Sequence, residues 1–388
     1  MSSIVCLSHR EDVDGILSAA LIKSAFKAKQ TQTILADYAN ILTKLQKISN
    51  MASNSQGSLS TMSSSNLEQL NVATNLSSAS KSETKYSSLS AMRNAGRNND
   101  NKTKPKRLFI CDLGLSRKTQ DKFLSLVEEI ISKGIKVTYF DHHDVSDGIK
   151  KELKKNGVTL IHSIEECTSV QIYEKYKKRL NSHAAFFAAS AALTDYMECR
   201  PLASVLMSRF DRQFLMLEAT ALSYMISSNQ HNEEFLIRTV DALSEMKYPH
   251  EIEGGFAIAE RYAKKVADGV RTVQRAIINK KNVAYTPSVS DLSAGVIVNF
   301  VLGKSEKPVA MVYRLKDDIN SYIISIRASK ACKVHLGRIV NEVASDIGGS
   351  GGGHEKACGA MIPKDKLQEF IDAVDDAIDN AIDNKVSK

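Results

Sequence analysis

Four short apolar runs, at residues 3–8, 107–113, 136–140 and 158–162, alternate with helix-forming stretches, and that rhythm confines the chain to few folds. Residues 3–8 read Ser-Ile-Val-Cys-Leu-Ser, a run of the length of a buried strand. Asp14-Gly15 then opens Ile-Leu-Ser-Ala-Ala-Leu-Ile-Lys-Ser-Ala-Phe, a helical stretch with little polar surface. Further helical stretches lie near 117–133 and 168–180. Alternation of this kind predicts a parallel α/β sheet.

The rhythm breaks between residues 50 and 104, where serine, asparagine and threonine dominate. Such a segment buries too little apolar surface to offset the entropy of ordering it, so it reads as a disordered insertion in the first domain. Residues 183–230 contain stretches apolar enough for buried helices, and a long helical stretch covers 256–278. From 283 onward the pattern predicts a second α/β domain, with strands at 308–315, 321–327 and 357–362 and helices near 332–346 and 364–384. A chain of 388 residues exceeds what one core usually serves. The expected division is a first domain at 1–245, a helical linker at 246–282 and a smaller second domain at 283–388.

Composition narrows the class. No apolar run reaches the ~18 residues of a membrane span, and the first residues read as a strand, not as a leader. The six cysteines are scattered and form no Cys-x-x-Cys pair, which argues against zinc-thiolate sites and a secreted disulfide framework. A cytoplasmic protein is expected. The net charge of +8 favours polyanionic partners, although Lys102, Lys104, Lys106 and Arg107 equally suit a solvated basic linker.

Five constellations carry chemistry. His9, Asp12 and Asp14 lie between a strand and a helix, where a parallel sheet gathers ligands. They suit magnesium or manganese, and Asp12 or Asp14 equally suits a helix N-cap. Asp112 ends an apolar strand, as a metal ligand or as the opener of an Asp-x-Gly turn. Asp141-His142-His143 ends the next strand, and a carboxylate beside an imidazole is the usual support for a metal-bound histidine. Asp195 closes an alanine-rich helix, where neither burial nor the helix dipole favours it without a cation. Gly351, Gly352, Gly353 and His354 form a glycine-rich stretch read as a phosphate-cradling loop or a plain linker, with Arg327 offering a guanidinium for the same anion.

Taken together, these motifs resemble the DHH phosphoesterases with their C-terminal DHH-associated domain. Asp141-His142-His143 is the name motif; His9, Asp12 and Asp14 resemble the first motif, Asp112 the second and Asp195 the fourth. Ser325-Ile-Arg327 and Gly351-Gly-Gly-His354 resemble the marks of the associated domain. One departure is spacing: the aspartates follow His9 by three and five residues, where many members use two and four or four and six.

The resemblance implies two divalent ions, manganese with magnesium as the substitute. His9, Asp12 and Asp112 would hold one; Asp14, Asp112, His142 and Asp195 the other. His143 would face the scissile phosphate, Asp141 would orient the imidazoles, and Arg327, His354 and the glycine backbone would grip the substrate. The implied activity is hydrolysis of phosphodiester bonds in single-stranded nucleic acid, short oligonucleotides or nucleotides, in the manner of RecJ-like or nanoRNase-like exonucleases. Two alternatives are a cyclic-dinucleotide phosphodiesterase and a RecJ-like replisome subunit with a binding role. Replication proteins are implied partners, and oligomeric state is left open, a dimer included.

Overall fold

The computed structural model describes residues 3–53, 104–115, 119–289 and 292–386. The first sheet holds β1 (Ile4–His9), β2 (Thr31–Ala36), β3 (Arg107–Cys111), β4 (Lys136–Asp141) and β5 (Thr159–His162). Its order is β2-β1-β3-β4-β5 and every pairing is parallel. Connections run one way from β1 to β2 and the other way from β2 to β3. The switch point therefore lies between the ends of β1 and β3, the crevice where such sheets bind ligands.

Alternation within each strand covers both faces. Cys6, Phe109, Cys111 and Phe140 face one core, completed by α1 (Val13–Ala25) and helices from later in the chain. Val5, Leu7, Leu108, Ile110, Val137 and Tyr139 face the other. That core is covered by α2 (Ile41–Ser53), α3 (Gln120–Ser132) and α4 (Asp147–Lys155). Helix α1 is apolar all round because it is enclosed between the sheet and α5 (Thr168–Tyr176), α6 (Ala184–Thr194) and a later helix, α9 (Glu233–Ser244). Between them in the chain come α7 (Pro201–Met207) and α8 (Arg212–Ser228), and then α9 (Glu233–Ser244).

Helix α10 (Gly255–Gln274) runs from α8 to the second sheet, burying Tyr262, Val266 and Val273 against it. That sheet comprises β6 (Ile278–Asn279), β7 (Val283–Pro287), β8 (Val309–Lys316), β9 (Ser321–Ala328), β10 (Ser350–Gly353) and β11 (Ala357–Pro363). Its order is β10-β11-β9-β8-β7-β6. Only β7 and β8 pair in parallel; the other neighbours are antiparallel. One face carries α12 (Leu336–Asp346) and α13 (Leu367–Val386), the other α10 and α11 (Ala294–Ser305). Among the described residues, no helix is long and apolar enough to cross a membrane.

Two sequence expectations change. Asn50–Ser53 belong to helix α2, because Ile41, Leu45, Ile48 and Ala52 form one buried stripe that continues into the Ser-rich stretch. The rest of the expected insertion lies outside the described residues. The glycine-rich stretch is the edge strand β10, not a loop: Ser350–Gly353 pair with Met361–Cys358. Glycine is needed there because Gly352 and Gly353 sit at φ +143° and +140°, and because a side chain at Gly351 would strike Val340 of α12 and one at Gly353 would strike Cys358 of β11. The elements β2, β6, β7, α4, α9 and α11 were not read from sequence. All but the apolar α11 are short or mixed in polarity, and packing against neighbours decides them.

Gly15 shows how tightly α1 is set against β1. A Cβ at this position would strike the His9 carbonyl and the His9 Cβ. Gly15→Ala must therefore push the helix off the strand. Overpacking of this kind costs about 1–3 kcal/mol. A urea-denaturation series is expected to show a loss in that range, and an unchanged midpoint would mean that the strand end yields freely.

Candidate active site

The site forms where β1, β3 and β4 end and α1 and α5 begin. His9 is the last residue of β1 and is buried; its Nε2 lies 3.5 Å from Asp12 Oδ2. Asp12 is the N-cap of α1, with Oδ1 accepting from Gly15 N at 2.9 Å. Capping uses one carboxylate oxygen and leaves the other facing His9, so the two sequence readings of Asp12 are compatible.

Asp14 is buried in the first turn of α1, and both its oxygens face the start of α5. They accept from Thr168 N and Ser169 N, each at 2.8 Å. These are orphan N–H groups of a helix N-terminus, whose partial positive charge favours a carboxylate. Asp112 follows β3 at φ +57°, a conformation an aspartate tolerates better than most side chains. Its Oδ1 accepts from Thr168 Oγ1 at 3.0 Å and lies 3.3 Å from His142 Nε2.

His142 collects the rest. Its Nε2 is 4.0 Å from Asp14 Oδ2, and its Nδ1 is 3.4 Å from Asp195 Oδ2. Asp195 is the C-cap of α6. Asp141, fully buried at the end of β4, accepts from His143 Nδ1 at 2.8 Å. The expectation that Asp141 orients both imidazoles is thus corrected: its hydrogen bond is to His143, while His142 faces Asp112 and Asp195. His143 Nε2 in turn meets Tyr38 Oη at 3.1 Å, and His162 Nε2 donates to the His143 carbonyl at 2.6 Å.

The second sheet closes over this cluster. The His354 ring stacks on His142 with centroids 5.0 Å apart, and lies 5.3 Å from His143. Arg327, near the end of β9, donates through Nη1 to the Ile326 carbonyl at 3.0 Å, and its guanidinium lies over Tyr196. The pairing of Gly351–Gly353 in β10 commits one side of their backbone to the ladder, and Asn341 Nδ2 donates to the Gly351 carbonyl at 2.8 Å. These three glycines therefore shape the approach of α12 and His354; they do not form a free loop of N–H donors.

Sequence reading missed Thr168, Ser169 and Tyr38. The first two were visible as the start of a helix, and a helix start carries unpaired N–H groups. Tyr38 follows β2, an element that was not read. Its turn is held by Asp37, whose Oδ1 accepts from Ala39 N and Asn40 N at 3.0 Å each.

The electrostatics are those of too many carboxylates in too little water. Burial, then Asp14 and Asp12, push Asp112 well above the usual carboxylate range. Burial raises Asp195 to about 7, with Asp14 and Asp12 adding to it against His142. Burial opposes a charge on His142, but Asp195, Asp112 and Asp14 outweigh it and raise the imidazole well above its ordinary value. Likewise, burial opposes a charge on His143, yet Asp141 raises it to about 9. His354 is driven down to about 3 by burial and by the two facing histidines.

Three buried atoms make no hydrogen bond: His9 Nδ1, and the facing pair His142 Nδ1 and Asp195 Oδ2, which meet at 3.4 Å without hydrogen-bond geometry. Orphaned nitrogen and oxygen atoms among raised carboxylates are what a divalent cation satisfies, and the mixed carboxylate–imidazole donor set suits a manganese-class ion. Asp14, His142 and Asp195 offer ligand atoms within 4.8 Å of one another, as do Asp112, Asp141 and His143. The residues present thus fit a metal centre.

The comparisons agree with this geometry. The N-terminal domain of the DHH family matches residues 3–199 and the DHHA1 domain matches residues 279–380. The chain belongs to the DHH family, within the DHH phosphoesterase superfamily. An uncharacterized protein of Methanocaldococcus jannaschii is 27% identical over 202 residues, 51% of this chain and 43% of that protein. A second from the same organism is 34% identical over 77 residues, 19% of this chain and 20% of that one. The chain thus aligns with less than half the length of either relative. Among solved structures, RecJ of Thermus thermophilus in complex with Mn²⁺ superposes with a TM-score of 0.57 at 10% identity, covering 97% of this chain and 52% of that one. The pGpG-specific phosphodiesterase PggH of Vibrio cholerae gives 0.50 at 11% identity, covering 97% and 99%.

The raised groups set a pH dependence of stability. Each of Asp112, Asp195, His142 and His143 binds its proton more tightly folded than unfolded, so the stability they add is present at low pH and lost as pH rises. His354 acts oppositely, but only below its unfolded value of about 6.5. In chelator, the thermal midpoint is therefore expected to fall between about pH 6.5 and 9. With manganese the slope should flatten or reverse, because binding expels those protons. A midpoint that climbs across this window in chelator would contradict the carboxylate cluster.

Proposed function

We propose that this chain is a divalent-metal-dependent phosphoesterase that hydrolyses phosphodiester bonds at the ends of nucleic acid strands or in short oligonucleotides. The observation that carries the reading is the convergence of Asp14, Asp112 and Asp195 on His142, with His142 Nδ1 and Asp195 Oδ2 buried and facing each other at 3.4 Å without a hydrogen bond. Bound divalent ions supply charge neutralisation at phosphate oxygens and a lowered water pKa. His9, Asp12 and Asp112 would hold one ion and Asp14, Asp112, His142 and Asp195 the other, with manganese preferred and magnesium as the substitute.

The protein's own groups do the rest. Asp141 keeps a proton on His143 Nδ1, which turns Nε2 toward the substrate once Tyr38 yields that position. His354 lies over His142 as a neutral imidazole and offers a hydrogen bond to a phosphate oxygen without adding charge. Arg327 has a buried Nε without a partner and supplies a charge-assisted contact to the same phosphate. Residues 1–245 thus cut, 246–282 connect and 283–388 grip.

A short linear substrate is the favoured case. What supports it is the likeness in fold to PggH, a pGpG-specific phosphodiesterase. The free cysteines accord with work in the cytoplasm. Single-stranded nucleic acid is the partner of stated chemistry, with replication proteins as candidates beside it.

The decisive experiment measures manganese-dependent hydrolysis of a dinucleotide, a 20-mer RNA, a 20-mer DNA and cyclic di-AMP. Turnover of the dinucleotide is expected to lead. Undiminished turnover after exhaustive chelation would remove the metal reading, and turnover of none of the four would remove the enzyme. Asp112→Asn and His142→Ala are each expected to lower turnover at least a hundredfold, about 2.7 kcal/mol in the barrier. A near-normal rate in Asp112→Asn would exclude that residue from the site. Arg327→Ala is expected to lower the specificity constant for an oligonucleotide roughly ten- to a hundredfold, the worth of one charged hydrogen bond.

A further inference from the structure

Tyr196 is large, exposed and strained at once. It is 45% exposed, sits at φ +59° and directly follows Asp195. Tyr196 N donates to the Leu193 carbonyl at 3.4 Å and Met197 N to the Ala192 carbonyl at 2.8 Å, which closes α6 with a left-handed cap. Glycine is the usual residue in that position, because a Cβ crowds the backbone there. Burial does not compensate for the strain, since nearly half of the side chain faces solvent. Strain held beside a functional residue is a reason to look for a role in ligand contact.

What faces the ring comes from the second sheet. The Arg327 guanidinium carbon lies 5.7 Å from the Tyr196 ring centroid. Arg327 Nε is buried without a hydrogen-bond partner, so the guanidinium is held in place with unused capacity. One residue earlier in the chain, Asp195 faces His142 across 3.4 Å. The aromatic ring therefore stands one residue from the phosphate-cutting centre, and a planar cation stands over it.

We propose that Tyr196 forms a nucleobase-stacking subsite that holds the base adjoining the scissile phosphate, while Arg327, beside its ring, stays on that phosphate. This rests on the phosphoesterase reading and adds what that reading lacks, namely a reason for a base-bearing substrate. A phenol ring stacks on any base, because every base has a π-face. The subsite thus selects for the presence of a base and, through stacking area, favours purines over pyrimidines, without reading base identity. It also accounts for a tyrosine where the cap geometry favours glycine.

The test reads binding without turnover. A dinucleotide carrying 2-aminopurine is titrated in chelator against the full chain and against Tyr196→Gly and Tyr196→Phe, with an abasic analogue in parallel as competitor. The wild type is expected to quench the fluorophore on binding. Tyr196→Gly should lose affinity for the base-bearing ligand by roughly five- to a hundredfold and lose the quench, with affinity for the abasic analogue unchanged. Its thermal midpoint should stand at or above that of the wild type, because glycine relieves the cap, which separates loss of stacking from loss of folding. Tyr196→Phe should keep both affinity and quench.

Equal affinity of wild type and Tyr196→Gly for the base-bearing ligand overturns the subsite, as do an equal loss for both ligands and an absence of binding by the wild type. The two readings fail separately. A chain that hydrolyses nothing but still loses the quench in Tyr196→Gly keeps the subsite and removes the enzyme. A chain that hydrolyses the dinucleotide equally well with glycine at 196 keeps the enzyme and removes the subsite.

Discussion

Three carboxylates, Asp14, Asp112 and Asp195, are held around one imidazole at the mouth of a parallel sheet, and much of the first domain exists to keep them there. Like charges at this spacing repel, and burial makes Asp112 and Asp195 harder to ionise. The fold meets that cost in two ways. The N-terminus of α5 donates two backbone N–H groups to Asp14, and Thr168 donates its hydroxyl to Asp112. The residual imbalance is a vacancy of charge that suits a divalent cation. Stability and function are therefore opposed at this point, as is common where a site is prepared for a ligand that is itself strongly charged.

Positioning of the acids follows from the sheet. Strands β1, β3 and β4 are neighbours in the order β1-β3-β4, all parallel, so their carboxyl ends lie side by side. His9, Asp112 and Asp141-His142-His143 come from sequence positions far apart and meet because parallel pairing sets their register: Ser8 opposite Cys111, and Cys111 opposite Phe140. The switch of winding between β1 and β3 keeps helices from covering the spot. Tyr139 reinforces it from beneath, donating its buried hydroxyl to the Leu113 carbonyl at 2.6 Å.

The second sheet completes the chemistry from above. His354 reaches the two facing histidines, and Arg327 reaches Tyr196, so residues from the DHHA1 region stand within ring contact of the histidine–carboxylate cluster. The glycines before His354 matter for shape: they let α12 approach β10 closely and thereby aim the strand end at the site. Lysine and acid pairs on α13 and β6–β7, such as Lys281 with Asp379, lie away from the histidines and serve the packing of that helix.

Much of this was legible in the residues themselves. Short apolar runs ending in Asp or His predict strands whose ends carry ligands, because a buried carboxylate needs a partner, and the order of the motifs identifies the family. The structure alone decided which donors serve which acceptor. Asp141 was readable as an imidazole partner, but only packing assigns it to His143 and leaves His142 to Asp112 and Asp195. The glycine run was readable as backbone that must come close to something; that this something is α12, and the run a strand, depends on pairing with β11. Tyr38 and Tyr196 carry no sequence pattern at all. One becomes visible through a hydrogen bond across 105 residues of chain and the other through a left-handed backbone angle. Composition and periodicity act locally and so determine elements and candidate ligands, whereas contacts between distant segments, and the strain they impose, exist only once the chain has closed on itself.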